Sequence, residues 1–177
     1  MGALTPEDCT TITNALEMAL AKRLPAILLL ASSGSAAHHG LAALLCWGTA
    51  ARVLSKCSGV IPVIAAVTGP AVSGSALLIG LADIVVMTET AYAFVSGPIP
   101  VRQMTGVQIN QQELGGADVH HRETGVASII VSDDEVLQTI AEILQFFTDC
   151  NALEAPKIAT NDLNNRPTPN ASVVHTE

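Results

Sequence analysis

The chain opens with a helical pattern of apolar residues and continues with a short apolar run typical of a strand. Thr5-Pro6-Glu7-Asp8 predicts a helix start, because it supplies an N-cap residue, a proline at the first helical position and acidic residues in the first turn. The run Ala26 to Leu30 predicts a strand that is covered on both faces. Between these segments, apolar residues at helical spacing predict a helix with one buried face that ends before Pro25, formed by Ile12, Ala15, Leu16, Ala19 and Leu20.

Helical and strand-like segments continue to alternate through the middle of the chain. The pattern predicts a second helix at about Gly40 to Leu54, a strand at Val60 to Val67, a helix after Gly74 and a strand at Ile84 to Met87. Buried strands that alternate with helices pair in parallel, because each helix carries the chain back across the sheet. We therefore predict an α/β fold.

A closing helix and a polar tail are predicted at the C-terminal end. Ser132 to Glu135 fits a capping box. After Leu153 the periodic pattern ends, and residues 154–177 are rich in proline and asparagine, so we expect a linker or disordered tail behind a domain of residues 1–153. The apolar stripe of the closing helix is expected to consist of Val136, Ile140, Ile143, Leu144 and Phe147.

Candidate chemistry lies at a strand-to-helix turn within Ile61 to Asp83. A buried strand runs there through Gly69-Pro70 into a helix that opens at Ser73-Gly74-Ser75. The N–H groups of a first helical turn lack intrahelical partners, and small residues let an anionic or polarised oxygen approach them closely. The turn is therefore a candidate oxyanion hole, and a turn that merely packs strand against helix is the alternative.

Charge and composition limit the partners of the chain. The net charge is −8 and the pI is about 4.9, so nucleic acid and anionic membrane surfaces would both repel it. Hydrophobic residues make up 49% of the chain and charged residues only 14%, which is below the share usual in soluble domains. We therefore expect part of the apolar surface to face a protein partner.

The cysteines and the N-terminus indicate a reducing compartment. The 4 cysteines are far apart and form no C-x-x-C pair, so we expect buried free thiols and no metal site. Glu7 and Asp8 stand where a secretory signal would be basic. The apolar stretch Leu77 to Met87 is interrupted by Asp83 and is too short to span a bilayer. We expect a cytoplasmic protein that binds neither nucleic acid nor membrane.

The segment from Phe94 to Ala127 carries a family resemblance. It resembles the biotin-dependent acyl-CoA carboxyltransferases, the β subunits of acetyl-CoA and propionyl-CoA carboxylases, whose pattern is FxxGP, TGExVxxEELGGAxxH and SGVA. Gly69-Pro70, Gly74 and Asp83 stand at the places of a second family segment, and the resemblance covers about Met1 to Leu153. The matching residues of the first segment are Phe94, Gly97-Pro98, Thr105-Gly106, Glu113 to Ala117, His120 and Gly125 to Ala127.

The resemblance implies a crotonase-like fold, in which stacked strand-strand-helix units place two loops beside an acyl-CoA thioester. Backbone N–H groups of Gly34, Ser35, Ser73 and Gly74 would stabilise the enolate oxygen of that thioester. The carboxyl group would come from biotin on a partner subunit. By the same resemblance, the residues beside the substrate would be Gly69, Pro70, Ala71, Val72, Gly97 and Pro98.

The resemblance also implies partners. The family's strands that precede Met1 and its C-terminal domain are not in this sequence, so a complementary chain exists, or the protein is a degenerate subunit, or the sequence is a fragment of a longer product. The expected partners are a homologous or complementary carboxyltransferase chain and the biotin carboxylase or biotin carrier subunit. A eukaryotic fragment of this family would lie in the mitochondrial matrix instead of the cytoplasm.

Two segments depart from the family pattern and leave alternatives open. Relatives read DSGGARIQEG where this chain reads ASSGSAAHHG from Ala31 to Gly40, and CAGGA where Ala71 to Ser75 stands here. A serine can still offer its N–H in place of a glycine, provided that its backbone angles are ordinary. The alternatives to an active subunit are a degenerate subunit that pairs with an active one and a biotin-independent acyl-CoA decarboxylase.

Polar and aromatic side chains near these motifs have structural and functional interpretations. His38 and His39 lie beside the proposed pocket, and a minority hypothesis is that one of them protonates an enolate. His120 and Glu113 are interpreted as structural, with Glu113 opening a tight turn in which Gly115-Gly116 adopts positive φ. Trp47, like Tyr92, is interpreted as a core or interface anchor.

Overall fold

The structure is a computed structural model that describes residues 2–157, 159–160 and 165, and the rest of the predicted tail lies outside the described residues. Helices and strands alternate over most of its length. A short 3₁₀ helix, Ala37–His39, precedes α2. The elements in chain order are α1 Pro6–Lys22, β1 Ala26–Ser32, α2 Leu41–Cys57, β2 Val63–Val72, α3 Gly74–Ile79, β3 Ile84–Thr88, β4 Tyr92–Phe94, α4 Pro98–Thr105, α5 Gln111–Gly115, α6 Ala117–Arg122, β5 Ile129–Val131 and α7 Val136–Leu144.

All strand pairs between these elements are parallel, as the alternation of helices and strands predicts. The order across the sheet is β1-β2-β3-β5. The long strand β2 pairs with β1 along one side, while its other side pairs first with β3 and then, from Pro70 to Val72, with β4. The carboxyl end of β2 is thereby held between two neighbouring strands, and this is where the predicted site lies.

The core is built on the two faces of β2, whose side chains alternate between them. Ile64 and Ala66 pack under α7 in one cluster, while Ala65 and Val67 belong to the cluster on the other side of the strand. A third cluster joins α1 and α2 to Val63 at the start of the strand. Burial on both faces explains why β2 reads as a continuous apolar run.

Strand β1 corrects one expectation, because only one of its faces is covered. Ala26 and Leu30 are buried, whereas Ile27 and Leu29 are 44% and 58% exposed. The strand lies at the edge of the sheet, and the cluster under α7 contains residues of β2 and β3 but none of β1. An apolar run alone did not distinguish a central strand from an edge strand.

The start of α1 follows the predicted side-chain pattern, whereas the start of α7 follows it only in part. Thr5 Oγ1 accepts a hydrogen bond from the Asp8 N–H at 3.3 Å, and the Asp8 carboxylate accepts one from the Thr5 N–H at 2.9 Å. The Glu135 carboxylate accepts from the Ser132 N–H at 3.2 Å, but the Ser132 hydroxyl donates to the same carboxylate and caps no helical N–H, and the N-cap of α7 is Glu135. Phe147 corrects the predicted stripe, because it is exposed and lies beyond the last residue of α7.

Glycines 115 and 116 correct a second expectation. Neither has a positive φ. Glu113 is the third residue of α5, and its carboxylate accepts a hydrogen bond from the Asn110 N–H at 2.9 Å in a capping box. A Cβ at Gly115 would collide with the carbonyl oxygen of Ala93 in β4. The glycines therefore serve close packing of α5 and α6 on β4 instead of a left-handed turn.

Within the described residues, every helix is too short or too polar to cross a membrane.

Candidate functional site

Two loops that follow neighbouring strands meet at the carboxyl edge of the sheet. Ser32, the last residue of β1, pairs with Ala71 near the end of β2. Gly34 has φ of +109°, and a Cβ placed there would lie 3.2 Å from the Val72 carbonyl oxygen and 3.4 Å from the Ser73 Cβ. The structure therefore brings together the predicted donor pairs Gly34-Ser35 and Ser73-Gly74.

The backbone N–H groups of these loops are not equivalent. The Gly34 N–H donates to the Ser32 hydroxyl at 3.2 Å, and the Ser73 N–H donates to the Phe94 carbonyl at 2.9 Å. The N–H groups of Ser35 and Gly74 donate to no other residue in the described part of the chain. Each loop thus has one N–H group, that of Ser35 or of Gly74, with no acceptor among the described residues.

Ser73 has a backbone conformation that serine rarely adopts. Its φ is 60° and its ψ is −117°, which are the angles of a glycine at the first central position of a type II′ turn. A serine replaces the family's glycine without strain only where its backbone angles are ordinary, and the angles of Ser73 are not. Ser75 stabilises the turn, because its hydroxyl donates to the Val72 carbonyl at 3.0 Å.

Trp47 of α2 contacts both loops, a contact that the sequence did not predict. Its side chain is 4% exposed, and its indole ring lies on Gly74, where any Cβ would collide with the ring. The indole N–H donates to the Ser35 hydroxyl at 2.6 Å. The sequence analysis interpreted Trp47 as a core or interface anchor, which agrees with its burial, but no sequence signal indicated its contacts with the two loops.

The predicted substrate residues lie next to these loops in two groups. Gly69, Pro70, Ala71 and Val72 are the last four residues of β2. Gly97 caps the N-terminus of α4, and Pro98 is its first residue. Strand β4 links the two groups. It pairs with residues 70–72 of β2, and the ring of its last residue, Phe94, packs against Gly97, where an added Cβ would lie 3.4 Å from the ring. Of these residues, Pro70 and Ala71 are buried in the core, whereas Gly69, Val72, Gly97 and Pro98 are partly exposed.

The described histidines form two adjacent pairs, of which His120 and His121 make hydrogen bonds through their rings. His38 and His39 are exposed in the 3₁₀ helix that follows the Ser35 loop, with ring centroids 4.2 Å apart. The Nε2 atom of His120 lies 2.8 Å from the Ala93 carbonyl oxygen, and its Nδ1 atom lies 3.0 Å from the Thr124 hydroxyl. A carbonyl only accepts, so Nε2 carries a proton and His120 anchors α6 to β4.

The cysteines are free thiols, as expected. Cys9, Cys57 and Cys150 are buried, while Cys46 is half-buried. Burial, with a smaller contribution from a hydrogen bond to Cys46, raises the pKa of Cys9 to about 12. In the part of the chain that the structure describes, no cluster of three His, Cys, Asp or Glu side chains could hold a metal ion.

The sequence is similar to known carboxyltransferase subunits. The sequence profile of the carboxyl transferase domain family matches residues 1–176. The β6 subunit of a biotin-dependent acetyl-/propionyl-CoA carboxylase of Mycobacterium tuberculosis is 36% identical over 133 residues, which are 75% of this chain and 28% of that protein. The methylmalonyl-CoA carboxyltransferase 12S subunit of Propionibacterium freudenreichii is 30% identical over 91% of this chain and 31% of its own length.

Solved structures agree with these relatives. The transcarboxylase 12S hexamer with methylmalonyl-CoA and methylmalonic acid bound superposes with a TM-score of 0.85 at 30% identity, over 90% of this chain and 32% of that one. The β subunit of geranyl-CoA carboxylase of P. aeruginosa shares the fold with a TM-score of 0.74, over 82% of this chain and 28% of its own. The α/β fold is thus crotonase-like, and this chain spans about a third or less of the length of these proteins. The chain belongs to the carboxyl transferase domain family, the family of the biotin-dependent acyl-CoA carboxyltransferases.

Proposed function

We propose that this chain forms part of the acyl-CoA site of a biotin-dependent acyl-CoA carboxylase, in which the N–H groups of Ser35 and Gly74 stabilise a thioester enolate. The observation that carries the proposal is the pair of adjoining loops with one unengaged N–H group each. The relatives named above act on acyl-CoA thioesters or carry one in their crystals, which supports the choice of substrate class.

The donor set fits a carbonyl oxygen. Backbone N–H groups from two loops stabilise the negative charge that a thioester oxygen gains when the α-carbon loses its proton. No side-chain nucleophile is required, because the electrons of the broken C–H bond move onto that oxygen and return when the new C–C bond forms. The transferred carboxyl group would come from biotin held on a partner subunit, and the biotin ring nitrogen that releases it would take the α-proton. Removal of one such donor typically raises the barrier by about 3 kcal/mol.

A degenerate subunit is the second candidate. It is favoured by the strained Ser73, whose N–H is already donated to Phe94, and by the absence of a charged side chain from Ala31 to Ala37. Such a subunit would bind an active carboxyltransferase chain through its apolar surface and would stabilise it without catalysis.

Biotin-independent decarboxylation is the third candidate. Its decarboxylation step, though not its independence from biotin, is supported by the 30% identity, over 91% of this chain, to the methylmalonyl-CoA decarboxylase subunit alpha of Propionigenium modestum. Loss of CO2 from a carboxylated thioester leaves the same enolate, so the same two N–H groups would stabilise it. The α-carbon would then take its proton from water or from His38 or His39, which are exposed nearby.

The three candidates are separated by purification of the protein with its native partners. The complex is weighed by native mass spectrometry, its chains are probed for biotin, and carboxylation of acetyl-CoA and propionyl-CoA is measured with and without avidin. Avidin-sensitive carboxylation supports the proposed function. Avidin-insensitive release of CO2 from methylmalonyl-CoA indicates a decarboxylase. A complex in which a second carboxyltransferase chain binds all the acyl-CoA indicates a degenerate subunit and contradicts the proposal.

A further inference from the structure

We infer that Trp47 is a positioning residue that fixes the distance between the two donor loops, an inference that rests on the function proposed above. The residue belongs to α2 and lies outside both loops. One side of its indole contacts Gly74, and its N–H reaches Ser35. A single rigid side chain therefore contacts the two residues whose N–H groups are unengaged.

The contact with Gly74 is steric. A Cβ at this position would collide with ring atoms Cδ2, Cε2 and Cγ of Trp47. An indole ring cannot yield as a flexible side chain can, because its nine ring atoms are held in one plane. The ring therefore determines how closely the start of α3 approaches α2, and glycine is the residue that permits this approach.

The contact with Ser35 is a hydrogen bond. A buried indole N–H needs an acceptor, and the Ser35 hydroxyl supplies it at 2.6 Å. This bond fixes the side chain of the same residue whose backbone N–H is free. Catalytic donors need placement within about 0.5 Å, and loops alone do not give such precision. Trp47 transfers the rigidity of the long helix α2, whose inner face is buried, to both loops at once.

Trp47 also provides a direct spectroscopic signal. It is the 1 tryptophan of the chain, so the indole fluorescence of this subunit arises at the site itself. An acyl-CoA thioester bound to the N–H groups of Ser35 and Gly74 should change its emission. Tryptophans of the partner subunits are substituted so that they do not contribute to the fluorescence. Alternatively, this chain alone is labelled with 5-fluorotryptophan and observed by ¹⁹F NMR.

The test compares variants of the assembled complex by their kcat and KM for acyl-CoA. Trp47→Phe keeps an aromatic ring on Gly74 but cannot donate to Ser35, and Ser35→Ala removes the acceptor while keeping the backbone N–H. Each is expected to lower kcat by about ten- to a hundredfold with little change in KM, since a misplaced donor affects the transition state most. The double variant should be no worse than the worse single variant, because both remove one bond. Ser35→Thr keeps the hydroxyl and should restore kcat.

Val53→Ala is the matched control. Val53 is buried in the same helix, and its truncation removes packing without touching either loop. It should lower the melting temperature but leave kcat near the wild-type value. An equal kcat for Trp47→Phe and Val53→Ala, or a double variant whose losses multiply, overturns the inference while the proposed function stands. A wild-type complex without acyl-CoA turnover overturns the proposed function, and with it the inference.

Discussion

Ser73 shows how a single residue can carry strain at the carboxyl end of β2. Its positive φ is held by the hydrogen bond from its N–H to Phe94 and by the start of α3 immediately after it. Non-glycine residues in such conformations cost about 1–3 kcal/mol. The surrounding strand pairs keep the turn in place against this cost.

Replacement of Ser73 by glycine should stabilise the protein. Relief of the strain outweighs the larger backbone entropy that glycine has in the unfolded chain, so the free energy of unfolding should rise by about 1 kcal/mol. Urea unfolding followed by circular dichroism measures this change. Ser75→Gly is the control, and it should destabilise, because Ser75 has a helical backbone and donates to Val72. A loss of stability in Ser73→Gly would contradict the interpretation of strain.

His120 should contribute to stability through its two ring contacts. His120→Ala removes the hydrogen bond to the Ala93 carbonyl and leaves that carbonyl unsatisfied, so we expect a loss of about 1–3 kcal/mol in the free energy of unfolding. His38→Ala, at an exposed position, should change it by less than about 0.5 kcal/mol. Chemical denaturation of both variants measures the difference. Equal effects would show that the ring contacts of His120 are energetically neutral.

The sequence predicted part of the site at the residue scale and missed the rest for a physical reason. The family resemblance paired Gly34-Ser35 with Ser73-Gly74, and the structure places these two loops beside each other. Which N–H groups remain free depends on the pairing of β2 with β4, where Phe94 takes the N–H of Ser73. The contact of Trp47 with Gly74 depends on how α2 packs over the sheet. Both are long-range properties that no local pattern contains.

At the scale of elements, the length of the apolar pattern determined which helices and strands could be predicted from the sequence. Helices α1, α2 and α7 and strands β2 and β3 are long or strongly apolar, and all were predicted within a few residues, although β2 extends further, to Val72. The segments α4, α5, α6, β4 and β5 were not predicted. These segments are short, and most are joined by mutual contacts, of α5 with α6 and β4 and of α6 with β5, instead of by a continuous apolar face. The position of strand β1 was predicted, but the exposure of its side chains was not, because that exposure depends on which elements pack against the strand.

The capping box of α1 should make stability depend on pH. A hydrogen bond from the Thr5 N–H, and a smaller one from the Thr5 hydroxyl, lowers the pKa of the Asp8 carboxyl in the folded protein. A carboxyl whose pKa is lowered on folding stabilises the protein above its unfolded pKa of about 3.9 and loses this contribution as the pH falls through the folded pKa. Asp8→Asn should therefore flatten the acid limb of the stability profile.

Thermal unfolding between pH 2 and pH 7 (a range of about five units around the unfolded pKa) measures this effect. Thr5→Ala is the companion variant, because it removes the hydroxyl partner and keeps the N–H donor. It should weaken the pH dependence without abolishing it. An Asp8→Asn variant with the wild-type profile would show that the hydrogen bonds seen in the capping box do not form in solution.

At the scale of the whole molecule, an apolar edge is the feature that most affects behaviour. Ile27 and Leu29 project from β1, and α1 with β1 lines a groove of about 380 Å³ beside them. Within the described residues nothing covers this face. Edge strands with exposed apolar side chains tend to pair with other chains. The low charge content of the sequence predicted such a surface but not its location.

The isolated chain should self-associate through this edge. Leu29→Lys places a charge on the exposed face and should reduce association while the circular dichroism spectrum stays unchanged. Leu30→Lys, one position along the same strand, would bury its charge and should unfold the protein. Sedimentation velocity over a range of concentrations measures the association. Unchanged association in Leu29→Lys would place the contact elsewhere on the surface.

The central position of β2 also determines how the chain folds. Its ten residues pair with β1, β3 and β4, and each partner is separated from it by a helix or by another strand, so no hairpin can begin the sheet. Parallel pairing between distant segments makes folding slow, because loops must close before the contacts form. Refolding should therefore be limited by the step in which β2 acquires its neighbours. The two donor loops, which lie at the ends of these strands, can form only after that step.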